Sequence, residues 1–388
     1  MKGTKAFWLL ICALAPVWLY GQGTLRLGAE RMDVLLPLLE GRKVGLVVNQ
    51  TSVVGAGHIH LLDALRAENI NVIKVFAPEH GFRGTEDAGV KVEDSRDRRT
   101  GIPIVSIYGK SRKPTAAQMA DLDVVVFDIQ DVGTRFFTYI STMHYVMEAC
   151  AENGKLFVVL DRPNPNDFVD GPVLREGFTS FVGMHPIPLL HGLTVGELAR
   201  MINGEKWLKS KPDTCRLEVV TMENWCHGDP YWLPVKPSPN LPNDQSIRLY
   251  PSLCLFEGTN ISVGRGTYFP FQVLGAPDEK YGRFDFRPVS LAGFDTNPQH
   301  KDKLCYGIDL RELPFEGGFS LRFLLELYEK AGQDKAFFFT RPRWFDLLAG
   351  TKELRLQVIK EMAEDEIRAT WQPELNAYKE IRKKYLLY

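Results

Sequence analysis

The feature that most constrains the fold is an alternation of short apolar runs with amphipathic segments between about residues 26 and 210. The apolar runs have the length of buried strands: KVGLVVNQ, NVIKVFAPEH, IPIVSIYG, DVVVFDIQDVG and KLFVVLDRPNP. Between them, HLLDALRAENI, TAAQMADL and YISTMHYVMEACAENG have the apolar spacing of helices. Buried strands that alternate with helices are typical of a parallel sheet with both faces covered. We therefore predict an open, doubly wound α/β domain.

The rest of the chain has a different pattern, which predicts a second domain. A length of 388 residues exceeds that of most single domains. The segment WLPVKPSPNLPND is too rich in proline for a helix, and LFEGTNISVGRGTYFPFQVLGAP is glycine-rich and irregular. Amphipathic helices follow, with an expected interruption near Pro373. We place the first domain at residues 23–210 and the second at residues 211–388, and we expect Thr194 and Glu197 to form a helix capping box before the boundary.

The N-terminal residues have the layout of a secretory signal peptide. Lys2 and Lys5 precede an apolar run over residues 6–20, and small residues follow. The run is shorter than the roughly 20 residues that a membrane span prefers. We expect residues 1–22 to be removed, giving a periplasmic or secreted protein with no stable membrane insertion; an uncleaved anchor is the alternative. The net charge of −1 offers no basic surface for nucleic acid.

Polar side chains follow four of the predicted strands, in VVNQTS, FAPEHGFRG, FDIQDVGTR and VLDRPNP. The carboxyl ends of parallel strands meet at one edge of a sheet, and ligands of open α/β sheets bind outside that edge. The sequence therefore predicts one site that draws on Asn49, Gln50, Glu79, His80, Asp128, Gln130, Asp131, Arg135, Asp161, Arg162 and Asn164.

Several chemistries have little support in the sequence. GAGHIH and GRGTYFPF lack the third glycine of a dinucleotide-binding motif, and neither a Walker sequence nor a G-x-S-x-G elbow occurs. His58, His60 and His80, with nearby aspartates, leave a metal-dependent hydrolase as an alternative, although no zinc-type spacing is found. We expect neither a metal nor a cofactor.

Carboxylate acid/base chemistry fits the same strand ends. Glycoside hydrolysis needs a carboxylic acid that protonates the leaving oxygen, and a second group, either a carboxylate or a substrate acetamido oxygen. Glu79 follows an apolar strand whose cover would favour its protonated form. Asp128 and Asp131 are candidates for the second group. The competing structural interpretation is an Asp128–Arg135 ion pair, with Glu79 capping a helix.

At these residues the sequence resembles the NamZ-type exo-β-N-acetylmuramidases. The resemblance extends from about residue 40 to the C-terminus. The motifs that carry it are NQTS, FAPEHGFRG, FDIQDVGTRFFTY, DRPNP, HGLTVGELA, PSPNLP, FEGTNISVGRGT and RKKYLLY. It implies a Rossmann-like domain with a smaller α/β domain over a cleft. It also implies a glycosidase that releases N-acetylmuramic acid from the non-reducing end of peptidoglycan fragments. Its expected partners are therefore muramyl saccharides derived from peptidoglycan.

The resemblance also implies roles for individual residues. The motif glutamate is Glu79, with His80 beside it, and Asp128 and Asp131 complete the expected catalytic set. The expected substrate-binding residues are Asn49, Gln130, Thr134, Arg135, Tyr139, Arg162, Asn164, Asn240, Glu257, Asn260 and Arg265. Where the family more often has an aspartate soon after GRGT, this chain has Tyr268 and Phe269.

N-acetylmuramic acid carries a lactyl carboxylate, which an arginine can bind in a bidentate manner. Arg135, Arg162 and Arg265 are the candidates for that contact. A tryptophan or Tyr139 would stack on the sugar. The same residues would also suit a non-catalytic protein that binds cell-wall fragments, which stays an open alternative.

Overall fold

A computed structural model describes residues 23–82, 94–109 and 111–388. The predicted signal peptide lies outside the described residues, as do Arg83, Glu86 and Asp87 of the loop after the second apolar run. The strands of the first part are β1 (Val44–Val48), β2 (Val53–Val54), β3 (Ile59–His60), β4 (Val72–Ala77), β5 (Ser95–Arg96), β6 (Pro103–Ser106), β7 (Val124–Asp128), β8 (Leu156–Leu160), β9 (Val169–Val173), β10 (Pro188–His191) and β11 (Arg216–Val220). Its helices are α1 (Met32–Leu39), α2 (Leu61–Ala67), α3 (Ala116–Met119), α4 (Tyr139–Glu152) and α5 (Val195–Gly204).

Seven strands form one sheet in the order β11–β8–β7–β1–β4–β6–β5. All neighbours are parallel except β5, which runs antiparallel to β6 at the edge. Without that edge strand the order is that of a Rossmann fold, with the strand order reversing between β1 and β7. The predicted doubly wound α/β fold is confirmed.

Both faces of the sheet are buried, as expected for a parallel sheet. On β1, Val44, Leu46 and Val48 pack with α1 and α2, whereas Val47 faces the opposite core that contains α4 and α5. This alternation follows from the two-residue repeat of a strand. The capping box predicted at the start of α5 is present: Thr194 Oγ1 accepts from Glu197 N at 3.2 Å, and Glu197 Oε2 accepts from Thr194 N at 2.9 Å.

The second part contains a three-stranded antiparallel sheet and most of the remaining helices. Its strands, β12 (Val273–Ala276), β13 (Phe284–Phe286) and β14 (Cys305–Asp309), pair in the order β12–β14–β13. Its helices are α6 (Asp244–Leu253), α7 (Arg322–Lys330), α8 (Lys335–Phe338), α9 (Pro342–Ala349), α10 (Glu353–Ile359) and α11 (Glu364–Arg382). The predicted boundary at residue 210 precedes β11, which belongs to the large sheet, so that sheet extends beyond the boundary.

The C-terminal helix differs from the sequence prediction. We expected an interruption near Pro373, but α11 continues through that residue. Ile367, Trp371, Leu375 and Tyr378 form a buried stripe along the helix, and this packing outweighs the lost backbone hydrogen bond. In the part of the chain that the structure describes, no helix has the length and hydropathy needed to cross a membrane.

Candidate active site

A cavity of about 530 Å³ lies outside the carboxyl ends of β4 and β6 and is covered by the second part of the chain. Its volume is in the range of small-molecule sites. The first part contributes Glu79, His80, Tyr108, Arg112, Phe136, Phe137, Thr138, Tyr139, Ser180, Phe181 and Val182. The second contributes Ser238, Asn240, Leu241, Tyr250, Cys254, Glu257, Arg265, Phe271, Asp295, Trp344 and Leu348.

Glu79 reaches the cavity from a tight turn at the end of β4. The N–H of Gly81 donates to the carbonyl of Pro78 at 3.0 Å, which closes the turn over residues 78–81. His80, the third residue of this turn, has a φ of +67°, as a type II turn requires. Glycine is usual at that position, and a non-glycine residue held there is strained, a feature that concentrates at functional sites. The turn therefore exposes Glu79 to the cavity at a conformational cost.

Both carboxylate oxygens of Glu79 accept hydrogen bonds from hydroxyl groups. Tyr108 Oη donates to Oε1 at 2.7 Å, and Thr138 Oγ1 donates to Oε2 at 2.8 Å. Burial, together with the adjacent Glu79 carboxylate, raises the pKa of Tyr108 well above its usual range, so this phenol stays a donor. Next to Glu79, His80 Nε2 lies 3.4 Å from Ser238 Oγ of the second part. The two hydroxyl contacts fix the orientation of the Glu79 carboxyl group.

A second carboxylate in the cavity comes from the glycine-rich half of the chain. Arg265 donates from Nε and Nη2 to Glu257 Oε1 at 2.9 and 2.7 Å, and its guanidinium lies 5.0 Å from the centre of the Phe271 ring. Burial lowers the pKa of Arg265, but the Glu257 carboxylate outweighs this and raises it overall. Glu257 Oε2 makes no hydrogen bond within the described ranges, which leaves it for a ligand or water. With Asp295, this pair also borders a neighbouring cavity of about 510 Å³.

The cavity brings together only part of the predicted set. Glu79, His80, Tyr139, Asn240, Glu257 and Arg265 line it. The other predicted residues do not line it. Those that are buried are Asn49, Asp128, Gln130, Asp131, Thr134, Arg135, Asp161, Arg162, Asn164 and Asn260. Asp161 accepts from Thr194 Oγ1 at 2.7 Å and from Gly196 N at 2.8 Å at the start of α5, and the half-buried Gln50 donates to the carbonyls of Lys236 and Pro237.

Asp128 is fully buried and forms a bidentate ion pair with Arg162. Arg162 Nε donates to Oδ1 at 2.6 Å, and Nη2 donates to Oδ2 at 2.9 Å. A further bond joins Arg162 Nη2 to the carbonyl of Val53 at 3.1 Å. The expected pair of Asp128 with Glu79 across the rim is therefore not formed, and neither is an Asp128–Arg135 pair. Asp128 and Arg162, which we expected to contact the substrate, instead form an ion pair with each other inside the domain.

Arg135 is also buried, without any carboxylate partner among the residues described. It donates to the carbonyls of Pro172 and Ile187, each at 2.8 Å, and of Leu348 at 3.0 Å. Burial lowers the pKa of Arg135 to about 9. These three carbonyls join segments from both parts of the chain, so Arg135 holds the wall behind Leu348 and does not reach the cavity.

The remaining predicted residues contact backbone and side-chain groups inside the protein and do not line the cavity. Asp131 Oδ2 accepts from Gly133 N at 2.7 Å, and Gln130 donates to the carbonyls of Asp131 and Pro163. Three more side chains make hydrogen bonds: Asn49 with Thr51, Asn164 with Leu193, and Asn260 with Tyr281. The backbone of Thr134 pairs with that of Leu190. Side chains of this kind shape the loops that follow the strands.

Several cavity residues were not predicted. Thr138 lies within a recognised motif, and Tyr108 ends a predicted strand, so position along the sheet could have indicated both. Ser238 lies within the PSPNLP motif, which could also have indicated it. Arg112, Asp295 and Trp344 lie in segments without a distinguishing pattern, and only the three-dimensional structure brings them to the site.

The described residues contain no group of three or more side chains placed to hold a metal ion. His60, a candidate ligand in the sequence, has Nε2 at 3.0 Å from the carbonyl of Asn49, and its Nδ1 accepts from Leu62 N at the start of α2. Its ring nitrogens therefore serve a helix cap and a loop.

Comparison with known proteins covers nearly the whole chain. The model of the N-terminal domain of the exo-beta-N-acetylmuramidase NamZ matches residues 44–245, and that of the C-terminal domain matches residues 248–388. The peptidoglycan beta-N-acetylmuramidase NamZ of Bacillus subtilis (strain 168) is 38% identical in an alignment of 383 residues that covers 92% of this chain and 90% of that protein.

Two crystal structures have the same fold. Both are DUF1343 family proteins from Bacteroides fragilis NCTC 9343. One is 42% identical with a TM-score of 0.86, and the other is 33% identical with a TM-score of 0.81. Each alignment covers 94% of this chain and 99% of the other. The chain therefore belongs to the NamZ family of exo-beta-N-acetylmuramidases, a family of glycosidases, as its motifs predicted.

Proposed function

We propose that this protein is an exo-acting glycosidase that releases N-acetylmuramic acid from the non-reducing end of peptidoglycan fragments, with Glu79 as the general acid. Family membership supports the reaction class and the peptidoglycan substrate. The observation that carries the choice of residue is the position of Glu79. It is half-buried in the cavity, on a strained turn, with both oxygens oriented by hydroxyl groups.

In the proposed reaction, the carboxyl group of Glu79 donates its proton to the glycosidic oxygen as the bond to the anomeric carbon breaks. The leaving sugar departs as an alcohol, and positive charge develops at the anomeric carbon. Water then adds at that carbon, and the Glu79 carboxylate takes up the proton that this water loses. Tyr108 and Thr138 hold the carboxyl group in position through both steps. Trp344, which lines the cavity, provides an aromatic surface for the sugar ring.

The second group of the reaction must stabilise the anomeric carbon. We propose that it is Glu257 or the acetamido oxygen of the substrate, because Asp128 pairs with Arg162 and neither Asp128 nor Asp131 lines the cavity. Arg265 keeps a positive charge next to Glu257 and binds only one of its oxygens. The other oxygen can contact a sugar hydroxyl or the attacking water.

We also propose that the reaction takes place outside the cytoplasm. This rests on the signal-peptide layout of residues 1–22 and on the location of peptidoglycan itself. Recovery of the cleaved protein from the periplasm or medium would support it.

The test is turnover of a disaccharide in which N-acetylmuramic acid is linked to N-acetylglucosamine. Mass spectrometry should detect free N-acetylmuramic acid with the wild-type protein. Glu79→Gln should lower kcat by about 10²- to 10⁴-fold, the usual contribution of a general acid. Glu218→Gln, on the exposed edge strand β11, is the matched control and should retain full activity.

A second substrate tests whether Glu79 acts as the general acid. A para-nitrophenyl glycoside has a leaving group that needs little protonation, so Glu79→Gln should impair its hydrolysis much less than that of the disaccharide. Equal losses on both substrates would remove the acid role from Glu79. Binding of the disaccharide without any release of sugar would instead favour a non-catalytic binding protein.

A further inference from the structure

We propose that Arg112 binds the lactyl carboxylate of N-acetylmuramic acid and so selects this acidic sugar over N-acetylglucosamine. The inference rests on the proposed function and adds a specificity-determining residue to it. None of the arginines expected from the sequence is available for this contact. Arg135 and Arg162 are buried in structural contacts, and Arg265 is paired with Glu257.

Arg112 lies at the cavity on a prepared aromatic surface. Its guanidinium carbon is 4.0 Å from the centre of the Phe181 ring, a distance typical of cation–π contacts. Phe181 in turn stacks on Tyr145 of α4, with ring centres 6.3 Å apart and planes inclined by 17°. Ser141 of the same helix donates to the Phe181 carbonyl at 2.8 Å. The aromatic stack supports the guanidinium group, whose nitrogens make no hydrogen bond within the described residues and are available to a ligand.

The charge of Arg112 is not neutralised within the described part of the chain, where no carboxylate pairs with it. This sets it apart from Arg265, the other arginine that lines the cavity. Arg112 is exposed at the cavity, and a guanidinium fits a carboxylate by two parallel hydrogen bonds.

The position of Arg112 relative to Glu79 also suits the sugar. The Phe181 ring is 6.1 Å from the ring of Tyr108, and Tyr108 donates directly to Glu79. Arg112, Phe181, Tyr108 and Glu79 thus form a continuous wall. In N-acetylmuramic acid, the lactyl ether lies two ring carbons from the anomeric carbon. When the glycosidic oxygen of the sugar lies at Glu79, its lactyl carboxylate therefore lies further along the same wall, towards Arg112.

The experiment compares three para-nitrophenyl β-glycosides: that of N-acetylmuramic acid, that of its lactyl methylamide, and that of N-acetylglucosamine. We expect the wild-type protein to prefer the free acid over both neutral sugars. Arg112→Ala should reduce this preference in kcat/KM by about 10- to 100-fold, the effect of losing charge-assisted hydrogen bonds. The change should appear mainly in KM, because a binding contact is lost and the acid is retained. Arg112→Lys should recover part of the preference.

Arg343→Ala is the matched control. Arg343 is exposed and lies 5.0 Å from the Phe178 ring, but it does not line the cavity, so the preference should be unchanged. Unaltered preference in Arg112→Ala, with the fold confirmed by circular dichroism, would overturn the inference. So would a wild-type protein that accepts the methylamide as well as the free acid. If the wild-type protein releases no sugar from any glycoside or from the disaccharide, the proposed function itself fails.

Discussion

Replacing Asp128 tests whether this residue supports the fold or the chemistry, because the sequence alone allowed both. Its two oxygens bind Arg162 at 2.6 and 2.9 Å, and the exposed fractions of the two side chains are 0% and 1%. Asp128→Ala therefore leaves a guanidinium buried without its counter-ion. The carbonyl of Val53 accepts the one other hydrogen bond that the Arg162 side chain donates within the described residues, and it carries no charge.

The size of the effect follows from that burial. Removing one partner of a buried ion pair costs about 3–5 kcal/mol, against about 5–15 kcal/mol for the total stability of a typical protein. Asp128→Ala should thus lower the melting temperature strongly and reduce the yield of folded protein. Asp128→Leu combined with Arg162→Met removes both charges and should recover much of the loss, since neither side chain then needs a counter-ion.

The assay measures stability and activity on the same samples. Thermal unfolding followed by circular dichroism gives the loss of stability, and turnover of the disaccharide at low temperature gives kcat per folded molecule. For Asp128→Asn we expect kcat per folded molecule to stay within about 10-fold of the wild-type value, whereas Glu79→Gln should lower it much further. An Asp128→Asn protein as stable as wild type but at least about 100-fold slower would refute this reasoning and make Asp128 part of the chemistry.

Two further predictions concern the turn and the C-terminal contacts. His80→Gly should be more stable than His80→Ala by about 0.5–1 kcal/mol, because only glycine tolerates a φ of +67° without strain; equal urea midpoints would contradict a strained turn. His227 lies 2.9 Å from both Asp167 and Glu197; burial lowers its pKa, but these carboxylates outweigh burial and raise the pKa to about 9 from 6.5. Its stabilisation is complete below pH 6.5 and is lost as pH rises through about 9. After allowance for solvent screening, urea unfolding should show a fall of about 1–2 kcal/mol across this window. In His227→Gln the free energy of unfolding should depend less on pH across this window. A pH profile of stability identical to that of the wild type would contradict the role of His227.

Much of the fold could be predicted because its signals are local. The central strands of the large sheet are buried on both faces, so they are continuous apolar runs, as at Val44–Val48 and Leu156–Leu160. The start of helix α5 could be predicted because its capping box, with Thr194 as N-cap, needs only residues three apart. The interruption predicted near Pro373 was wrong because the continuity of α11 depends on contacts that are not local. The packing that keeps α11 continuous there involves distant segments, among them Phe319 and His191, which contact Trp371 and Tyr378.

The sequence by itself determined the α/β class, the family, and the strand end that carries Glu79. It selected Glu79 as the acid but also placed Asp128 in the catalytic set, since both are carboxylates at or just after the end of a buried strand. Tertiary structure decided between them: Arg162, from the next strand, neutralises Asp128 inside the domain, whereas Glu79 turns outward through a left-handed His80. It also brought Glu257 and Arg265 from the other half of the chain, and Arg112 from a loop without a motif, to the same cavity. Burial and pairing depend on contacts between residues far apart in sequence, and those contacts determine which polar groups remain available to a ligand.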